Sequence, residues 1–182
     1  MTGESAVTLH HQGDRHTLRF ERRFPHALDR VWEAISNVEE MDRWFPARVV
    51  GTRRAGTKLH FHFPPQPGQT PSDAPDRSAA TTWGELLVWD PPRVLEFTWG
   101  DEVLRFVLTR SEGRTQLVFT HTFHDLTKAA RDASGWTVCL DALDALLDGR
   151  AKTPFTPERF ETLFAEYASR FGPEASSTRA PG

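Results

Sequence analysis

His121 is the side chain best placed to do chemistry. In the stretch TQLVFTHTF, alternation sets Leu117, Phe119, His121 and Phe123 on one face of a strand, so an imidazole shares the inward side with three large apolar groups. There it could hydrogen-bond a ligand, or act as acid or base near neutral pH. It could equally be a structural histidine satisfied by nearby backbone or a hydroxyl, and spacing identifies no partner carboxylate. Glu85 is the next candidate. It shares a strand face with Trp83, Leu87 and Trp89, whereas Leu86 and Val88 argue for the opposite register. If buried, Glu85 would have its pKa raised by desolvation and could pair with His121.

Metal chemistry needs convergent ligands, and the histidines do not supply them. His60-x-His62 lies opposite the phenylalanines of its strand, on the solvent side, with no third ligand. His121 and His124 fall on opposite strand faces. Cys139 neighbours Leu140 in a helical stretch and reads as a small core hydrophobe. Asp141, Asp144 and Asp148 share one helical face and read as solvated. A nucleophile elbow, a phosphate-cradling glycine loop and a Walker lysine are absent from the sequence. No metal and no cofactor is expected.

These residues need elements to position them. Residues 7–24 alternate on both sides of Gln12-Gly13-Asp14, which predicts a hairpin with Leu18, Phe20 and Arg22 on one face. Pro25 ends its second strand. Leu28, Val31, Trp32 and Ile35 have helical spacing and predict a helix over 28–36. Val38, Met41, Trp44 and Phe45 predict a second helical piece from Asn37 to Trp44, stopped by Pro46. From residue 47 the period is two, predicting strands at 47–52, 57–63, 82–89, 93–99, 102–110 and 115–123. Short connectors make these an antiparallel meander. Residues 64–80 hold five prolines and no large apolar side chain, and read as a long loop.

Residues 128–148 return to helical spacing through Trp136, Leu140, Leu143 and Leu147, with Gly149 placed to end the helix. A last helix at 156–171 has Thr156 as N-cap and Pro157 at its first position, and carries Phe160, Leu163, Phe164, Tyr167 and Phe171 on one side. The reading is an α+β domain over residues 1–150, an appended amphipathic helix over 151–172 and a disordered tail over 173–182.

Composition narrows the function. The 182 residues suffice for one buried core, and they include 13 Phe and 6 Trp against a single Tyr. The net charge of −3, without a long basic run, argues against nucleic acid. No apolar run approaches the ~18 residues of a membrane-spanning helix. The N-terminus has no signal-peptide pattern, so a cytoplasmic location is expected. One cysteine excludes an intramolecular disulfide.

The segments FERRFPHALDRVWEAISN, MDRWFP, WGELLVWDPPRVLEFTW, TQLVFTHTF and GWTVCLDALDALL, in this order over residues 18–148, resemble the family of activator-of-heat-shock-protein-90-ATPase homologues. That family is a branch of the START-like (SRPBCC, helix-grip) superfamily. The resemblance implies a curved antiparallel sheet gripping a long C-terminal helix around a largely apolar cavity, but no single activity. In such an architecture Trp44 and Phe45 border the cavity entrance, and Phe61 and Phe63 lead into the proline-rich loop. Trp99, Phe119, His121, Trp136 and Leu140 would complete the lining. The expected function is binding of a small, mostly apolar molecule. Two alternatives stand beside it. One is a cavity enzyme using His121, with Glu85, on an aromatic or polyketide-like substrate; the other is a regulator that docks on a chaperone. The apolar stripe of the last helix is expected to pack on its own domain, with a homodimer contact as the alternative.

Overall fold

A computed structural model describes residues 6–63, 82–151 and 155–178. Eight strands, β1 (Ala6–Gln12), β2 (Arg15–Phe24), β3 (Arg48–Val50), β4 (Thr57–His62), β5 (Thr82–Asp90), β6 (Val94–Trp99), β7 (Glu102–Ser111) and β8 (Arg114–Phe123), form one antiparallel sheet. Its spatial order is β1-β2-β8-β7-β6-β5-β4-β3, a meander in which the first hairpin closes onto the last strand. The helices α1 (Leu28–Ser36) and α2 (Val38–Met41) connect β2 to β3, and α3 (Ala129–Leu147) lies against the concave face. This is the helix-grip arrangement.

The alternation predicted on β8 is what the fold uses. Leu117, Phe119, His121 and Phe123 are all buried, and so are Leu104, Phe106 and Leu108 on the adjacent β7. Across the sheet Phe20 faces Phe119, and Phe119 faces Phe106, so the rings stack in a row. α2 is shorter than predicted. The Asn37 side chain caps it by accepting from the amides of Glu39 and Glu40, and a single turn later both Trp44 and Phe45 fold back onto the Met41 carbonyl. That turn sends both rings inward. Trp44 donates its indole N–H to the Ala34 carbonyl at 2.8 Å, which satisfies the one polar group a buried tryptophan carries.

The last helix, α4 (Pro157–Phe171), begins as predicted, with Thr156 accepting from the Arg159 amide. Its Phe160, Phe164 and Tyr167 are buried. Tyr167 Oη meets Thr137 Oγ1 of α3 at 2.8 Å, and Arg159 pairs with Asp141. The apolar stripe is therefore turned onto the chain's own α3, and a homodimer would have to use another face. Asp141 is not a solvated bystander, because it also receives the buried Arg22 guanidinium. Burial is the larger influence on Asp141 and pushes its carboxyl up, against the pull of Arg22 and Arg159.

Residues 173–178 depart from the expected disorder. Pro173–Ala175 forms a 3-10 turn, Ala175 is buried, and Thr178 bonds Thr127 through both its amide and its hydroxyl. Tertiary contact orders what local composition would leave free. Tyr167→Phe is expected to cost about 1 kcal/mol in urea denaturation, the value of one neutral hydrogen bond. The figure stays small because Thr137 Oγ1 keeps its second partner, the Ala133 carbonyl.

Candidate functional site

Seven of the proposed lining residues form one connected ring cluster. Phe45 stands near its centre, with centroid distances of 5.3 Å to Trp99 and 5.5 Å to both Trp44 and Trp136. Trp99 also lies 4.8 Å from Phe61 and 5.3 Å from Phe63, while Phe119 lies 4.9 Å from Trp136. Most of these pairs are edge-on or tilted, the geometry that the ring quadrupole favours. Leu140 follows Trp136 one turn along α3 and is fully buried. Depth differs across the cluster. Trp44, Phe61 and Phe119 are sealed, whereas Phe63 and Trp99 are only partly buried and form the rim. The proline-rich segment expected to flank this rim lies outside the described residues.

One glycine makes room for the sealed Phe61 ring. A Cβ on Gly84 would come within 2.7 Å of the Phe61 ring and 2.1 Å of the Thr98 carbonyl. Only a residue without a side chain lets the Phe61 ring lie against β5.

At the other end of the cluster His121 is held from two sides. Its Nε2 is 2.6 Å from Glu102 Oε2, and its Nδ1 accepts the Trp136 indole N–H at 3.0 Å. An Nδ1 that accepts carries no proton, so this arrangement is the neutral imidazole with its hydrogen on Nε2, donated to Glu102. Lys128 in turn bonds Glu102 and stands 3.2 Å from Asp132 Oδ2, while Arg131 reaches Asp132 Oδ1 at 2.9 Å. Asp132 Oδ2 is fully buried with no aligned hydrogen-bond donor, and lies 3.9 Å from His121 Nδ1. The acidic oxygens here do converge with the imidazole, within 4.8 Å of one another, and the cation beside them is the chain's own Lys128 ammonium. Burial is the largest single influence on Glu102 and pushes its carboxyl up, but hydrogen bonds from His121 and Lys128 outweigh it and hold the carboxyl below its ordinary value. Burial likewise pulls Lys128 down, and Asp132 with Glu102 raises it above the usual lysine value.

Glu85 has no part in this. It is exposed on the outer face of β5 opposite Lys58, while Gly84 and Leu86 point inward. A bulge between Leu86 and Val88 then shifts the register, so that Trp89 pairs with buried Leu95 and packs against Trp32 at 5.1 Å. Glu85 and Trp89 share sequence parity and yet lie on opposite faces. The carboxylate that His121 does meet is Glu102, which shares the alternation of Leu104, Phe106 and Leu108; that signal was present in the sequence. With both nitrogens engaged inside the fold, His121 presents no free nitrogen to a ligand. His60 and His62 lie on the outer face, with Trp83 centred 4.0 Å from His60. Cys139 is half-buried beside the core, as its helical register suggested.

The sheet order, the gripped helix and the ring-filled concavity now stand together, and a family model agrees with them over residues 25–148: Activator of Hsp90 ATPase homolog 1-like protein. The chain belongs to that family. No curated protein matches it significantly. Among solved structures, it is similar to a conserved protein of unknown function from Enterococcus faecalis (15% identity, TM-score 0.69, covering 91% of this chain and 92% of that one). A protein from Bordetella parapertussis shares 29% identity, with a TM-score of 0.60 and 94% of each chain covered. The Aha1 dimer from Colwellia psychrerythraea matches at 17% identity and a TM-score of 0.57, covering 72% of this chain and 95% of that one. As a member of the Activator of Hsp90 ATPase homolog 1-like family, the chain carries the START-like fold. No helix among the described residues is long and apolar enough to cross a membrane.

Proposed function

We propose that this chain binds a small, mostly apolar molecule at the rim of the aromatic cluster, between α3 and the β4–β6 end of the sheet. The observation that carries this reading is the continuity of the partly exposed Phe63 and Trp99 with the buried rings of Phe45, Phe61 and Trp136. Such a surface attracts a ligand by apolar transfer, at roughly 25 cal/mol per Å² removed from water. It offers little hydrogen bonding: the Trp136 indole is spent on His121 and that of Trp44 on Ala34. Flat, weakly polar molecules are the matching class. The enzyme reading is not favoured, since His121 lacks a free nitrogen and Glu85 lies on the opposite face of the sheet.

The test is a fluorescence titration with N-phenyl-1-naphthylamine, a neutral apolar probe. Saturable binding is expected, and Trp99→Ala is expected to weaken it about thirtyfold, the loss from removing an aromatic anchor worth about 2 kcal/mol. A wild-type protein that leaves the probe in water sinks the reading. Where the probe binds, native mass spectrometry of protein from its own host identifies the natural occupant.

A further inference from the structure

Asp132 Oδ2 is a buried acceptor whose ionic partner is the Lys128 ammonium at 3.2 Å, and it lies 3.9 Å from the one imidazole nitrogen that currently accepts. Asp132 also sits one helical turn before Trp136 on α3, so the imidazole has a choice of two partners on the same helix face. We infer that His121 is a proton-operated latch on Trp136: a proton on Nδ1 converts that nitrogen from acceptor of the indole N–H to donor toward Asp132, and the indole is released. This rests on the binding reading above and assigns its regulation.

The chemistry follows from hydrogen inventory. Neutral His121 can receive from Trp136 only while Nδ1 is bare. Once both nitrogens carry protons, the N–H of Trp136 and the N–H of His121 oppose each other, and the carboxylate of Asp132, 3.9 Å from Nδ1, is the acceptor it can turn to. Nε2 keeps its bond to Glu102 in either state. The charged surroundings suit the change. His121 is faced by Glu102 from β7, by Lys128 from the 3-10 turn that precedes α3 (Leu126–Lys128), and by Asp132 with its partner Arg131 from α3. β2 places uncharged Leu18 opposite His121, and His16 of β2 lies against the Phe123 ring at 6.0 Å. Lys128 and Arg131 balance Glu102 and Asp132, so the arriving proton adds one positive charge to a set that is otherwise neutral.

The consequence falls on the ligand rim. Trp136 touches Phe45, Trp99 and Phe119, three rings of the cluster. Held by His121, the indole is preorganised as wall. Released, it leaves a buried N–H without its acceptor and a ring with more freedom to lose when a ligand binds. Acid should therefore weaken apolar binding.

The experiment uses the full chain labelled with ¹⁵N and titrated from about pH 8 to about pH 5, the range in which histidines exchange protons. The Trp136 indole resonance is assigned by its loss in Trp136→Phe. Its proton is expected to move upfield in step with protonation of the His121 ring, and affinity for N-phenyl-1-naphthylamine is expected to fall about fivefold over the same interval, the ratio that one hydrogen bond supplies. His121→Gln should flatten both curves. Asp132→Asn, which leaves the Glu102 and Trp136 partners of neutral His121 in place, should move the transition to lower pH, since the anion that receives the proton's charge is gone. An indole resonance that stays fixed while His121 protonates overturns the latch, and so does a His121 that stays neutral until the protein unfolds. An indole that moves while probe affinity stays flat overturns its regulatory role. If the probe binds at neither pH, the binding reading fails separately, the regulatory claim falls with it, and the indole titration still decides the latch.

Discussion

Phe119→Ala is expected to lower the unfolding free energy by about 3–5 kcal/mol. Phe119 is fully buried on β8, 4.6 Å from Phe106, 5.5 Å from Phe20 and 4.9 Å from Trp136. Truncation removes the ring on which two neighbouring strands and α3 all rest. Packing at crystal-like density lets little of that space collapse, so a cavity term adds to the lost transfer energy. For a domain whose total stability is about 5–15 kcal/mol, this is about a fifth of the whole or more. Urea denaturation followed by tryptophan fluorescence, with unchanged m-value, measures it. The size of the effect also discriminates between two pictures of the aromatic face. A loss below about 1 kcal/mol would place Phe119 beside open space, with little packing to forfeit. The larger value marks it as dense core and leaves the Phe63–Trp99 rim as the place where a ligand is received.

Glu102→Gln is expected to cost about 3 kcal/mol near neutral pH, at the low end for breaking a buried ion pair. The Glu102 and Lys128 side chains retain only 15% and 13% exposure, so solvent screens their interaction weakly. The substitution leaves Lys128 with Asp132 alone and removes the charge that anchors His121 Nε2. The sign of the pH dependence follows from the two directions of shift. Glu102 is held below its ordinary value in the folded protein, so its contribution is fully present above the unfolded carboxylate value of about 4.3 and is lost as pH falls through the lowered folded value. Lys128 is raised, so its contribution is present below about 10.4 and is lost as pH rises through the folded value. The stability gap between wild type and Glu102→Gln should thus narrow below about pH 5 and again above about pH 10. Chemical denaturation at a series of pH values reads this directly. A gap that persists undiminished at pH 2 would show that the cost is steric and owes nothing to the charge. Adding Lys128→Met to Glu102→Gln should recover part of the loss, because the ammonium no longer remains in a site that has lost one of its two carboxylates.

The contrast between Glu102 and Glu85 shows how far local patterns reach. On β7 the alternation Glu102, Leu104, Phe106, Leu108 continues unbroken, so the inward placement of Glu102 could have been read directly from it. On β5 the pattern is interrupted. One extra residue at the bulge between Leu86 and Val88 reverses the parity of everything after it, and no propensity in the sequence announces where that happens. The same limit applies to the chain's end. The polar segment after Gly172 has too little apolar surface to order itself, but Ala175 and Thr178 find an existing surface beside Thr127.

By itself, then, the sequence determined the α+β class, the order of the elements, the inward row Leu117, Phe119, His121 and Phe123, and a family resemblance that the match over residues 25–148 bears out. These are properties of period and order along the chain, and side-chain geometry in a strand or helix dictates them locally. What only the tertiary structure decided is who meets whom. Closure of β2 onto β8, the pairing of β7 with β8 and the crossing of α3 over both bring Trp136, Glu102, Asp132 and Lys128 to one imidazole, from positions up to 34 residues apart in Glu102 and Trp136. A contact of that kind depends on strand register and helix placement together, and neither is written in the neighbourhood of His121.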